Sequence, residues 1–230
     1  SDAIAFARIG EGSLGGKARG LAFMNSMLVK YSQYAKYENV RVTIPRTVVV
    51  ATDYFDAFIR NNGLEYVLTT EMTDEEILSE FVSSTLPYKL REALKAYVRT
   101  VSGPLAVRSS SKLEDSHYQP FAGIYSTYMI PYTEGNEDRQ LRLLQKAIKS
   151  VYASTYFAAS KAYVQSSQNL IAEEKMAVVI QEVCGTEQDG LFFPTCSGVA
   201  RSINYYPIGD ERPEDGVCNV AMGLGKLVVD

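Results

Sequence analysis

Two cations stand where the chain could hold a polyanion. Arg108 closes the apolar run Pro104-Leu-Ala-Val and is followed by Ser109, Ser110 and Ser111, then by Glu114, Asp115 and Ser116. A short apolar run behind a proline reads as a buried strand, so this order delivers a guanidinium and small hydroxyls to a strand's carboxyl end. Arginine keeps its charge at any working pH and offers a planar fork of donors. The serines add hydroxyls and unobstructed backbone N–H groups, which completes a set suited to a polyphosphate. The same residues read equally as a strand end paired with a surface carboxylate. The second cation, Lys17, closes Glu11-Gly12-Ser-Leu-Gly15-Gly16-Lys17-Ala18. That segment falls short of a P-loop, which needs glycine where Glu11 stands and Ser or Thr where Ala18 stands. Lysine in the first turn of a helix opposes the helix dipole unless an anion compensates, and this favours a phosphate role over a solvated side chain. Downstream of Arg108, Tyr118-Gln-Pro120-Phe-Ala-Gly123 supplies the hinges of a loop that covers a ligand.

The elements that must position these groups alternate between helix and strand. Ala18, Leu21, Met24 and Leu28 predict an inward helical face beginning at the glycine pair, and Thr43–Ala51 predicts a strand that Pro45 enters or edges. Thr52 is expected to cap a helix carrying Phe55, Phe58 and Ile59 and ending at Asn62-Gly63. Thr73-Asp-Glu-Glu76 is a capping box, and Pro87 opens a helix with Leu90, Leu94, Tyr97 and Val98 inward. Ser102-Gly103-Pro104 breaks that helix and marks a boundary between lobes at residues 1–103 and 104–230. Further on come a strand over Gly123–Ile130 and one long helix from about Asp138 to Ser167. Met176–Val183 then reads as a central strand that turns polar at Gln181 and Glu182 as it leaves the core, and this exit suits either an adenine edge or a plain strand end. Ser197–Asn204 and Val217–Met222 are two more strands around the acidic loop at 209–216. Gly223-Leu-Gly225-Lys226 turns the chain where ligands of such folds collect.

Composition bounds the function. The chain has 230 residues, 46% apolar and 22% charged, enough for a sizeable core, and no run reaches the roughly 18 apolar residues of a membrane span. A net charge of -4 argues against a nucleic-acid or acidic-membrane surface and still permits a local basic pocket. The first residues lack the basic head and apolar middle of a signal peptide. Cys184, Cys196 and Cys218 are odd in number, without C-x-x-C spacing, so buried thiols in a reducing cytoplasm are expected rather than disulfides or zinc.

Taken together, Gly15-Gly16-Lys17-Ala18, Ile44-Pro45, Ala106-Val-Arg108-Ser-Ser with Glu114-Asp115-Ser116 and Phe121-Ala-Gly123, Ala147–Ser154, Met176–Gln181, Ser197-Gly-Val-Ala200 and Gly223-Leu-Gly225 resemble, in order, the ATP-binding domain of phosphoenolpyruvate synthases and pyruvate phosphate dikinases. The resemblance implies an α+β, ATP-grasp-like fold, two lobes with mixed or antiparallel sheets that clasp ATP and magnesium. It places Lys17, Arg108 and Ser109 at the phosphates, with Arg108 as the catalytic cation, and Gln181, Glu182 and Val183 beside the adenine. It also implies that ATP phosphorylates a histidine on a separate swivelling domain, which carries the phosphate to a pyruvate-binding barrel. Both domains are expected outside this chain, as is any contact that makes a homodimer. His117 lies in the lid loop, not in the carrier's histidine motif, and is given no catalytic role. One position departs from the pattern: Lys226 stands where the family carries a magnesium-binding glutamate. An ammonium repels the metal there, so Lys226 either supplies part of the metal's charge at the phosphates, leaves the metal to carboxylates beyond Asp230, or impairs transfer, and the metal ligands stay unknown. The alternatives are a non-catalytic nucleotide-binding regulatory module, or a related enzyme with a glucan or drug acceptor.

Overall fold

Met176-Ala-Val-Val-Ile180 is apolar at five consecutive positions, a pattern that suits a strand covered on both faces. In the computed structural model, which describes residues 5–31, 37–111, 125–166 and 174–225, each of these five residues is fully buried. They form most of β5 (Met176–Glu182), the middle strand of a five-stranded mixed sheet. The other strands are β1 (Phe6–Ile9), β2 (Thr47–Val50), β3 (Leu105–Ser111) and β4 (Tyr128–Ile130), in the order β1-β2-β5-β3-β4. Only β1 and β2 run parallel, joined through helix α1 (Gly15–Lys30), as a parallel pair requires a crossover. Every other neighbouring pair is antiparallel.

Two layers cover the sheet. Val50, Leu105, Val107, Val178 and Ile180 pack against α2 (Thr52–Asn61), α3 (Asp74–Ser83), α4 (Tyr88–Val98) and α5 (Glu137–Ser154), with Phe55, Phe58, Phe81, Tyr152 and Tyr156 forming an aromatic cluster. The opposite face gives Val49, Ala177 and Val179 to α1 through Ala18, Leu14 and Leu21. The inward stripe expected on α1 holds for Ala18 and Leu21. Met24 is 49% exposed, because only the first half of the helix lies tight on the sheet.

The chain divides into compact units at Ser1–Val183 and Cys184–Asp230. The break at Ser102-Gly103-Pro104 therefore falls inside the first unit, where β3 starts directly after it and pairs with β5 along seven residues. The second unit carries two ribbons, β6 (Thr186–Gln188) with β7 (Leu191–Phe193) and β8 (Cys196–Arg201) with β9 (Val217–Met222). The β6–β7 turn is Asp189-Gly190, both at positive φ, a hairpin signal readable in the sequence but absent from the strands predicted above.

Three local expectations give way to tertiary contacts. The single helix predicted over Asp138–Ser167 is two, α5 and α6 (Ala158–Ser166). No Gly or Pro marks the break; Tyr156 instead turns into the aromatic cluster, while Asp74 Oδ1 accepts from Ala158 N at 2.9 Å. Thr52 does not cap α2, whose N-cap is Ala51, because its hydroxyl is drawn to another segment described below. Cys184, Cys196 and Cys218 are free as expected but exposed rather than buried, since the thin ribbons of the second unit offer no deep core. The capping box forms as read, with Glu76 N donating to Thr73 Oγ1 at 3.2 Å and Thr73 N to Glu76 Oε2 at 2.9 Å. No helix among the described residues is long and apolar enough to cross a membrane.

Candidate functional site

Ser110 is the joint on which the site is built. Fully buried on β3, its hydroxyl donates to Leu14 O at 2.7 Å and accepts from Ala18 N at 3.1 Å, so one side chain grips α1 on both sides of its first turn. Leu14 O and Ala18 N are the acceptor and donor of the helix's first i→i−4 pair, and the Ser110 hydroxyl, 92 residues beyond Ala18, bonds to both. Gly15 permits the approach. It sits at φ +69°, and a Cβ there would lie 1.9 Å from Ser110 O.

The same grip fixes Lys17. Its Nζ donates to Ser109 O at 3.1 Å and to Ser109 Oγ at 3.3 Å. Within the described residues β4 pairs only with Leu105–Val107, so β3 beyond Val107 is bonded to β5 alone and leaves an edge that the ammonium can reach. The next residue back, Arg108, is partly exposed and donates from Nη1 to Gln181 Oε1 at 3.2 Å. Gln181 Nε2 in turn donates to Thr47 Oγ1 at 3.2 Å. Four of the predicted site residues thus meet in two pairs, Lys17 with Ser109 and Arg108 with Gln181.

The remaining predicted residues lie differently. Strand alternation turns the Glu182 side chain away from Gln181, and its Oε1 stands 3.3 Å from Arg46 Nη1. Glu182 N donates to Arg46 O at 3.0 Å and Val183 N to Pro104 O at 2.9 Å, so the backbone donors of this exit are already used inside the fold. Tyr97 packs nearby, and burial, reinforced by the Glu182 carboxylate and opposed by Arg46, holds its phenol well above the usual tyrosine range. Lys226, Glu114, Asp115 and His117 lie outside the described residues.

The glycine segment before α1 is anchored by residues that the sequence reading missed. Asp53 accepts from Glu11 N and Gly12 N at 3.1 Å each, and Thr52 Oγ1 accepts from Ser13 N at 2.9 Å while Thr52 N donates to Ser13 O at 2.9 Å. A carboxylate of the chain itself thus takes two backbone N–H groups at the start of the glycine segment. The departure from the P-loop motif at Glu11 and Ala18 is matched by this different use of the loop. An Asp three residues after β2 was the available signal, but only folding shows that it serves a segment 41 residues earlier.

Among the described residues Lys17 is hydrogen-bonded to Ser109 and Arg108 to Gln181, so a lysine and an arginine stand beside a polar sheet row. Among the described residues no group of three or more His, Cys, Asp or Glu side chains is placed to hold a metal ion.

Comparison with known proteins adds an independent line. The family profile described as "Pyruvate phosphate dikinase, AMP/ATP-binding domain" matches residues 11–230. A Bacillus subtilis protein named "Uncharacterized phosphotransferase YvkC" is 31% identical over 157 residues, 65% of this chain and 17% of the relative. "Phosphoenolpyruvate synthase" of Aeropyrum pernix is 29% identical over 238 aligned positions, 94% of this chain and 25% of the relative. The chain thus spans a quarter or less of the length of these relatives.

Proposed function

The chain belongs to the family of the pyruvate phosphate dikinase AMP/ATP-binding domain, and from that premise we propose that it is an ATP-grasp module which binds ATP through its phosphates at Lys17 and Arg108. The relatives' printed names, a phosphotransferase and a phosphoenolpyruvate synthase, support this reading, and the proposed reaction passes phosphate from ATP to a histidine on a separate carrier domain, which serves a pyruvate-binding barrel. One observation carries the assignment. Lys17, on α1, is hydrogen-bonded to Ser109, the residue next to Arg108, so two cations far apart in sequence converge on one end of β3.

In this reading the protein does little covalent chemistry of its own. Lys17 and Arg108 offset charge on the phosphates and align them for in-line attack, and Ser109 sets the direction of the ammonium. Glu182 and Val183 border the base through backbone oxygens, since their N–H groups are spent. Magnesium, where bound, would offset further charge on the phosphates, and no residue of this chain is assigned to hold it.

Calorimetric titration of ATP tests the assignment. A charge-assisted contact is worth about 1.5–3 kcal/mol, so Arg108→Ala weakens binding roughly ten- to a hundredfold, while Arg142→Ala, exposed on α5, changes it little. Equal affinities for wild type and a folded Arg108→Ala variant remove the phosphates from Arg108.

A further inference from the structure

Thr47, Gln181 and Arg108 share one face of the sheet. Thr47 pairs with Gln181 across β2 and β5, and Gln181 pairs with Ala106 across β5 and β3, so Arg108, two residues along β3, is the diagonal neighbour of Gln181. Their polar atoms form a directed chain. Thr47 Oγ1 donates to Pro45 O at 2.8 Å, so its hydrogen is spent and it can only accept from a second partner. Gln181 must turn its NH2 toward Thr47, which it does at 3.2 Å, and that orientation leaves Oε1 facing Arg108. The reversed amide would set two donors against each other, because a guanidinium has no acceptor. Gln181 is 8% exposed, so its amide is enclosed within this chain rather than offered to a ligand.

We infer that Gln181 and Thr47 are positioning residues for Arg108, and that Gln181 does not contact the base. The inference rests on the reading of Arg108 as a phosphate-holding group. The guanidinium spends one of its five donors on Gln181 and keeps the others for the anion, already aimed when the ligand arrives. An arginine without this hold is ordered at the moment of binding, and that cost is subtracted from affinity. Pro45 has a part as well. Its carbonyl takes the Thr47 hydrogen just before β2 begins and thereby sets the direction of every bond in the chain.

The test is a double-mutant cycle in the intact protein, read by ATP affinity, with crystal structures of the ligand-free variants. Thr47→Val and Gln181→Met each weaken ATP binding about three- to tenfold, the size of one lost hydrogen bond, and Thr47→Ser restores it. In an Arg108→Ala background neither substitution causes a further loss, because both act through Arg108. In ligand-free Thr47→Val crystals the contact between Arg108 Nη1 and Gln181 Oε1 is broken. A full additional loss for Gln181→Met in the Arg108→Ala background overturns the inference and returns Gln181 to the base; an unchanged Arg108 contact in Thr47→Val overturns it too. Absence of ATP binding by the wild-type protein refutes the nucleotide reading instead, and the crystal structures then decide the positioning role by themselves.

Discussion

Gly15 and Gly20 lie five residues apart near the start of α1, and alanine at each is expected to act with opposite sign. At Gly15 a Cβ would stand 1.9 Å from Ser110 O and 2.4 Å from Ser110 C, both backbone atoms of a buried strand, while φ is +69°. Placing an L-residue in the left-handed region costs about 1–2 kcal/mol, and forcing α1 away from β3 adds the roughly 1–3 kcal/mol typical of overpacking. The sum is about 3 kcal/mol, a large share of the 5–15 kcal/mol by which a typical domain is stable. At Gly20 nothing lies within 4 Å of the added Cβ and φ is not positive, so Gly20→Ala gains up to about 1 kcal/mol of helix propensity. Urea denaturation with a common slope measures both. Thermal midpoints follow, Gly15→Ala falling by about 6–12 °C for a unit of this size. The Gly15 variant also moves Lys17 off Ser109, so ATP affinity falls beyond what the loss of folded protein explains. Gly15→Ala within 0.5 kcal/mol of wild type would refute the close approach of α1 to Ser110 as a requirement of the site.

Asp53→Ala leaves the N–H groups of Glu11 and Gly12 without their acceptor, and a stability loss of about 2 kcal/mol is expected, with Asp53→Asn losing about half because one carbonyl oxygen remains; denaturant titration of the two variants measures the difference. Alkali is expected to unfold the protein through its buried tyrosines. Burial, with Asp53 and Asp56 adding to it at Tyr152 and Asp56 and Glu174 at Tyr156, raises both phenols far above the tyrosine value of about 10, and Tyr97 is raised alongside them. The folded state keeps these protons while the unfolded state releases them. The stability they contribute is therefore full below about pH 10 and falls above it, by about 1.4 kcal/mol per pH unit for each such tyrosine. Urea midpoints measured from pH 8 to 11 check this, and a midpoint that is flat above pH 10 contradicts the burial of Tyr152.

Much of the architecture was legible before folding because it is written in local or periodic terms. Five apolar residues in a row at Met176–Ile180 can only be a strand covered on both sides or a buried helix, and the polar exit at Gln181-Glu182 decided for the strand. The capping box at Thr73 and Glu76 spans one helical turn, so its two hydrogen bonds needed nothing from the rest of the chain. Lys17 and Arg108 were singled out as candidate anion-holding cations from charge and placement alone, since each residue type already carries its chemistry. Other features turned on partners distant in sequence. Thr52 read as a helix cap because nothing local says that Ser13 will lie beside it, and the kink between α5 and α6 has no breaker residue because its cause is a pocket of aromatic rings around Tyr156. Ser109 and Ser110 looked like hydroxyls for a ligand, yet the fold uses Ser109 to hold Lys17 and Ser110 to clamp α1. Gln181 was read toward a base, and the register of β2, β5 and β3 turned it to Thr47 and Arg108. A side chain's type fixes what it can donate or accept. Which of those bonds it makes depends on the groups that strand register and helix packing bring within about 3 Å, and that proximity exists only once the sheet has formed.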